Sequence, residues 1–366
     1  MKTSERKLNH LRIARERDVE SREWNWFEDI ILLHLASSEI APEDVRLDVS
    51  FLGKEISAPI IIEGMTGGHE KAKEINVALA EAAREIGIPL GLGSQRAALE
   101  NPALSSTFRA AREVAPEIPI IANLGVSHII GSSGIENACE AISMVEADAL
   151  AVHLNLLQEI IQPEGSSSFR GLLDALTDLA DQLDVPVIVK EIGFGISKEA
   201  AALLEATGVA GIDVAGLGGT NWAIVEGYRS REGSLMRALA NTFQDWGIPT
   251  PASIVEVAVA TKNVFIIGSG GVRSGLDASK CIALGADYSG AALPFLRAYY
   301  EGGVSAILQL LNQFMIEMKT ALALSGTSDI SQFRRRKRFV LKGKLLEWIT
   351  YRNLMREVRW DTCYFL

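Results

Sequence analysis

The chain has 366 residues, 48% of them apolar and 22% charged, the balance of a globular protein with a sizeable core rather than a disordered or fibrous one. Its formal net charge of -10 disfavours nucleic acid and anionic membrane as general partners, so any anion site has to be a local basic pocket. Three cysteines, Cys139, Cys281 and Cys363, are odd in number and lack metal-type spacing, which points to reduced thiols in a cytosolic protein rather than a disulfide framework.

The N-terminal MKTSERKLNHLRIARERD has no apolar core of signal-peptide length, and no later stretch is apolar for long enough to span a bilayer. A soluble cytoplasmic protein is expected. From Pro59 onward one unit recurs: a short apolar run, then Gly, Asn, Ser or Thr, then a segment rich in Ala, Glu and Leu. The eight runs are PIIIEGMTGG from Pro59, PLGLGSQ from Pro89, PIIANLG from Pro119, ALAVHLN from Ala149, PVIVKEIG from Pro186, GIDVAGLGG from Gly211, VFIIGSGG from Val264 and YSGAALP from Tyr288. Continuous Ile- and Val-rich runs mark strands buried on both faces of a parallel sheet. The intervening KEINVALAEAAREIG and SKEAAALLEATG end in Gly, where a helix C-terminus favours it.

Eight alternating units with polar residues at the strand ends predict a closed (β/α)8 TIM barrel; a doubly wound open sheet is the rival. The expected layout is one domain, with residues 1–58 as an N-terminal extension, 59–325 as the barrel and 326–366 as a C-terminal helical tail. Two segments break the rhythm. The stretch from Thr220 to about Ile254 has the extra length of a lid or an oligomer contact. RRRKR at Arg334–Arg338 precedes an amphipathic FVLKGKLLEWITYRNL and reads as a solvated face.

Barrel active sites lie at the C-terminal ends of the strands. Those ends carry Thr66; Ser94, Gln95 and Arg96; Asn123; His153 and Asn155; Lys190 and Glu191; the Gly216–Thr220 turn; the Gly268–Arg273 loop; and Ala291 with Ala292. GSGGVRSG, from Gly268 to Gly275, leads into the helix DASKCIALG and aims backbone amides at an anion. Its place after the seventh strand, followed by small residues after the eighth, implies a phosphate-bearing cofactor or substrate. Lys190 ends an otherwise apolar strand; it reads either as a lysine paired with Glu191 or as a fixed cation beside the pyrimidine edge of a flavin. In HLNLLQE, His153, Asn155, Gln158 and Glu159 cluster, with His153 alone also readable as a core histidine. Glu159 is the candidate Mg2+ ligand, because Mg2+ beside a diphosphate needs only one or two protein carboxylates. Arg6, Lys7 and His10 in RKLNH read as a solvated helix face, or, with Arg96, as the local basic pocket.

Taken together, RKLNH, GMTGG, GSQR, NLG, HLN followed by QE, VKE, GGTNW and GSGG resemble the type 2 isopentenyl-diphosphate isomerase family, FMN-dependent enzymes of isoprenoid biosynthesis. The resemblance runs from Arg6 to Ala292. It implies FMN held by Gly64, Met65, Thr66, Ser94, Asn123, Lys190, Thr220, Gly268, Ser269, Gly270, Gly271, Ala291 and Ala292. It implies a prenyl diphosphate held by Arg6, Lys7, Ser94, Gln95, Arg96, His153, Asn155 and Gln158, with Mg2+ on Glu159. Trp222 and Glu226 fall in a segment that the family places near the site. A homotetramer or homooctamer and reduction of FMN by NADPH or another donor are implied as well.

Interconverting isopentenyl and dimethylallyl diphosphate adds a proton at one carbon and removes one two bonds away. The resemblance offers reduced FMN as the acid and base, with Lys190, Gln158, His153, Asn155 and Glu226 as the catalytic set. An FMN-dependent hydroxy-acid oxidase on the same barrel is the main alternative, and it needs a histidine base in a late loop. No histidine follows His153. An inosinate-dehydrogenase-like enzyme needs a cysteine near the sixth strand, where this chain has AGLGGTNW. A non-catalytic flavin or phosphate sensor is a third reading, which steady turnover would exclude.

Overall fold

The computed structural model describes residues 3–162, 165 and 168–356; Cys363 lies outside them. Each of the eight apolar runs forms a strand: β1 Ile60–Ile62, β2 Leu90–Gly91, β3 Ile120–Gly125, β4 Ala149–His153, β5 Val187–Lys190, β6 Gly211–Asp213, β7 Phe265–Ser269 and β8 Tyr288–Ala291. They pair in chain order, all parallel, and β8 closes on β1. The closed (β/α)8 barrel expected from the repeat is the fold, and the open sheet is excluded. The helix Glu70–Ile86 shows how a unit ends: Gly87 takes the left-handed conformation at φ 82° and its amide bonds to Ala83 O.

Side chains alternate across a strand, so residues two apart share a face. Inside the barrel, Ile61, Ile121, Ala149, Ala151, Ile188 and Ile267 form one apolar cluster with Phe51 and Ile56. Two residues further along the same inward faces stand Glu63, Asn123, His153, Lys190 and Ser269, and Asp213 follows Gly211 on β6. An apolar floor therefore turns polar over a single pleat repeat. The register sets neighbours within that upper layer, pairing His153 with Lys190 and Lys190 with Asp213.

The N-terminal end of the barrel is stoppered by the antiparallel hairpin Val49–Phe51 and Lys54–Ile56. Its two-residue turn, Leu52 and Gly53, has both φ angles positive, at 52° and 78°, as a twist-matched hairpin turn requires. Phe51 is fully buried and meets the rings of Phe265 and Tyr288 edge-on, with centroids 5.7 Å and 4.8 Å away. The strand ends at the opposite face are left as the open end.

The two extensions clasp one another. Ile30–Leu32 pairs antiparallel with Phe339–Leu341, and Trp348, in the helix Gly343–Tyr351, reaches Glu256 through its indole N–H at 2.9 Å. The basic run is only in part the solvated face expected of it. Arg334 pairs with Asp287 and donates to Gly285 O at 3.0 Å, while Arg336 and Arg338 donate to Gly326 O and Ser325 O. The last two guanidinium groups thus cover carbonyls at the end of the long helix Leu293–Leu324, a place that favours cations. Arg335 and Arg336 remain exposed. Within the long segment after β6 lie the helices Trp222–Arg229 and Leu235–Phe243. The first of these meets the N-terminal helix Thr3–Glu16, and Trp222 contacts the ring of His10 at 5.0 Å.

Candidate active site

The strand ends open into one cavity with about 1120 Å³ of empty space, mouth included. Every barrel unit contributes to its lining, as do Arg6, Lys7 and His10 of the N-terminal helix. The expected residues Gly64, Met65, Ser94, Arg96, Asn123, His153, Asn155, Gln158, Glu159, Lys190, Thr220, Ser269, Gly270, Gly271, Ala291 and Ala292 all line it.

Four expected residues lie outside the lining, each for a structural reason. Thr66 is buried with its hydroxyl on Asn76 Oδ1. Gln95 is fully buried; its amide donates to Ala141 O at 2.7 Å and accepts from the Asn123 amide at 2.9 Å, tying β2 to β3. At Gly268 a Cβ would stand 2.8 Å from Cys281 Cβ, so this glycine serves the contact between β7 and the helix Gly275–Leu284. Glu226 stands behind the lining. It accepts from His10 Nε2 at 2.8 Å and from Gln158 Nε2 at 3.2 Å, and it pairs with Arg229. Those cationic and N–H partners hold its carboxyl below the usual range despite burial, so it is the ionised hub of the network. His10 is buried too, not on a solvated helix face.

Lys190 does not pair with the Glu191 carboxylate. Its Nζ lies 2.5 Å from Asp213 Oδ2 and 3.4 Å from Glu63 Oε2, and it reaches only the backbone carbonyl of Glu191, at 3.4 Å. Burial opposes its charge, but the Asp213 carboxylate, with Glu63 beside it, outweighs that and raises its pKa. Asp213 Oδ1 also accepts from Ser269 Oγ at 2.6 Å and the Ala215 amide at 3.3 Å. The Glu191 carboxylate instead caps the loop after β5 by accepting from the amides of Ile192 and Phe194, at 2.7 Å and 3.0 Å.

His153 donates from Nδ1 to Asn123 Oδ1 at 2.7 Å, diagonally across a register that pairs His153 with Gly125. A Cβ at Gly125 would come within 2.8 Å of its Nε2, so the ring needs glycine beside it. Burial, with Lys7 and Lys190 nearby, pushes its pKa down to about 3, and the imidazole is neutral at physiological pH. Asn155 donates to Gln158 Oε1 at 3.2 Å and to Glu159 Oε1 at 3.0 Å, which fixes both side chains of the short helix Leu156–Ile161.

Cations gather on one wall of the cavity although the chain is acidic. Burial together with Arg6 and Arg96 pushes Lys7 down to about 7, and burial with the same arginines pushes His128 down to about 4. Such crowding favours a polyanion. On the opposite wall the β7 turn presents Ser269, Gly270 and Gly271 beside Ala291 and Ala292. Gly270 and Gly271 have φ of 97° and 78°, and a Cβ on either would strike the Gly216–Gly218 backbone. Only glycine can make this turn, and it packs directly against the β6 turn, leaving bare backbone at the cavity wall. Small residues, a glycine cradle and an ammonium on the floor fit the phosphate and ring of a flavin mononucleotide.

Residues 144–339 match the family model described as FMN-dependent dehydrogenase. Two curated relatives cover nearly all of the chain. A protein of Ignicoccus hospitalis named isopentenyl-diphosphate delta-isomerase is 44% identical over 98% of this chain and 99% of its own. One of Methanothermobacter thermautotrophicus with the same name is 45% identical over 96% and 97%. The chain belongs to the isopentenyl-diphosphate delta-isomerase family. Among solved structures, a mandelate oxidase aligns with TM-score 0.61 at 18% identity, over 88% of this chain and 89% of that one. A Pediococcus acidilactici structure titled as a lactate oxidase aligns with TM-score 0.63 at 19% identity, over 91% and 87%. At that identity the oxidases share the fold. The delta-isomerase family sets the reading of the site.

The sequence alone does not single out Glu63, Asp213, His128 and Gln162, all of which line the cavity or brace it. For Glu63 and Asp213 a signal exists: each stands two residues beyond an inward residue of its strand, Ile61 and Gly211.

Proposed function

We propose that this enzyme interconverts isopentenyl and dimethylallyl diphosphate with reduced FMN bound across the barrel mouth. The observation that carries the reading is the division of the cavity, with a cationic wall for a diphosphate facing a glycine cradle and Lys190 suited to FMN. Held by Lys190, Ser269, Gly270, Gly271, Ala291 and Ala292, reduced FMN would supply an electron-rich ring and a transferable proton.

The chain's own residues do the rest. Arg6, Lys7 and Arg96 take the diphosphate, with Ser94 beside them, and anchoring that remote group holds the alkene in place. Glu159 would hold Mg2+, and the ion would neutralise charge on the diphosphate. Gln158, fixed from one side by Asn155 and from the other by Glu226, orients the reacting end of the substrate. Neutral His153 donates to Asn123 and takes no proton in the physiological range. Trp222, stacked edge-on against His10, narrows the mouth and limits water near a carbocation-like state. NADPH or another donor would be the source of the reduced state.

The oxidase alternative lacks its base. The histidines in the cavity lining are His10, His128 and His153, all preceding β5, and none stands in the last four loops. The deciding experiment is anaerobic: protein with FMN, Mg2+ and dithionite is given isopentenyl diphosphate and followed by proton NMR. Dimethylallyl diphosphate forming without stoichiometric loss of reductant supports the isomerase. Reduced flavin and bound diphosphate with no product would refute it.

A further inference from the structure

The polar layer above the apolar floor holds more negative than positive charge. Lys190 is one ammonium, and two carboxylates, Asp213 and Glu63, face it in a region where all three side chains are at least nine-tenths buried. Two unpaired charges of like sign are not tolerated at such depth without a proton to relieve them.

The hydrogen bonds say which carboxylate is ionised. Asp213 receives three donors, Lys190 Nζ at 2.5 Å, Ser269 Oγ at 2.6 Å and the Ala215 amide at 3.3 Å, as a carboxylate should. Glu63 receives little. Its Oε2 is 3.4 Å from Lys190 Nζ, and its buried Oε1 has no hydrogen-bond donor among the described residues. That oxygen is pressed against β8, 2.5 Å from where a Cβ on Gly290 would stand. Glu191, the neighbouring acid after β5, is half-buried with its carboxylate on the Ile192 and Phe194 amides, and His153 across the layer is neutral. Among the described residues, Lys190 is the cation that faces Glu63 from the strands packed around it.

We propose that Glu63 is held as a neutral carboxylic acid, hydrogen-bonded to Asp213 beside Lys190, and is the positioning residue that sets the net charge the barrel floor presents to the flavin. With the proton in place, the ammonium and the Asp213 carboxylate balance, and the floor is neutral under an anionic reduced ring. Without it the floor carries a net negative charge and opposes that ring. Lys190 is therefore not a bare cation; its partners make its field conditional on one proton. Burial and the Asp213 charge place that proton's loss at about pH 7, where the floor would change charge within the working range.

This inference rests on the FMN reading of the site, and the experiment separates the two. Infrared difference spectra of wild type minus Glu63→Gln, taken without flavin, should show a protonated carboxyl stretch at pH 5.5 that is lost as pH rises through the neutral range. No such band at pH 5.5 overturns the proposal whether or not FMN binds. Failure to bind FMN would instead sink the functional reading and leave the protonation of Glu63, read from the band, standing. In the FMN-loaded protein, the flavin midpoint potentials of wild type and Glu63→Gln should coincide at pH 6, with wild type falling below the variant by pH 9. An offset already present at pH 6, with wild type lower, means Glu63 is ionised throughout and refutes the idea. Should Glu63→Gln fail to fold, Glu63→Asp serves, since a shifted band in the same pH range supports the assignment and an unmoved one removes it.

Discussion

Replacing Glu226 with glutamine tests whether the His10, Gln158 and Arg229 network aims the reacting end of the substrate. Glu226 is fully buried, and its two oxygens face N–H groups on all sides. The amide of Gln has one oxygen and one NH2. If the oxygen keeps Arg229, the NH2 turns toward the N–H groups of His10 and Gln158, and two donors oppose it. Gln158 then gains by rotating its own amide, which breaks the 3.2 Å bond from Asn155 and changes the face it presents to the cavity. Misplacing a positioning group by about 1 Å costs on the order of 10²-fold in rate, or about 2.7 kcal/mol of transition-state stabilisation. Of the groups proposed for the diphosphate, Lys7 feels the Glu226 charge, but behind burial, Arg6, Arg96 and Glu100. Glu226→Gln should therefore lower kcat by about 10²-fold while KM moves by less than about threefold. Rates read by proton NMR, with pyrophosphate titrated separately and unfolding followed in urea, make the comparison. A kcat within threefold of wild type in a folded variant, or a loss carried wholly by KM, would refute the positioning role.

Phe51→Ala empties the plug of the barrel floor, and the loss of a buried aromatic should destabilise the protein by about 3–5 kcal/mol in urea unfolding. FMN binding to the folded fraction should be unchanged, because the plug lies at the end opposite the mouth. His128 and His153 are held neutral by burial and nearby cations, with pKa values about 4 and about 3. Their unfolded forms take up protons below about pH 6.5, so their contribution is present above that pH and lost as pH falls toward the folded values. His128→Asn should accordingly lose about 2 kcal/mol less stability than wild type between pH 7 and pH 5, measured by urea midpoints at each pH; parallel curves would contradict it. Glu159→Gln should raise the Mg2+ concentration needed for half-maximal rate by about tenfold, given the effect of losing one carboxylate from a sparsely ligated Mg2+ site. An unchanged magnesium requirement removes Glu159 as the ligand.

The barrel was legible because β5, PVIVK, and its seven counterparts are continuous apolar runs at a regular spacing, each ended by a residue that cannot continue a buried strand. The glycine cradle was legible for a related reason. Gly270 and Gly271 are needed locally, by φ and by close backbone contact, and local needs leave a mark in sequence. Pairings between strands leave a weaker one. VKE places Lys190 next to Glu191, yet adjacent residues on a strand point to opposite faces, so its counterion is Asp213 from another strand, with Glu63 alongside. Gln95 obeys the same rule: GSQR puts it between two cavity residues, while the first turn after β2 rotates its amide into the contact with Ala141. The RKLNH helix carries no sign of its burial, because that depends on Trp222 and Glu226 from a segment more than two hundred residues away.

The pleat explains why chemistry collects where it does. An inward face that reads Ile61 then Glu63, Ile121 then Asn123, Ile188 then Lys190 and Ile267 then Ser269 changes from apolar to polar at one height all around the barrel. Closure then forces those polar groups into contact, since a barrel has no edge at which an unpaired charge could reach water. Each must satisfy another, as His153 does with Asn123 and Lys190 with Asp213. Where the count does not balance, as at Glu63, a proton has to make up the difference. The flavin reading places the cofactor directly above that layer, so the same closure that buries the charges couples their protonation to the ring, and the pH dependence of the flavin potential becomes a property of the barrel floor.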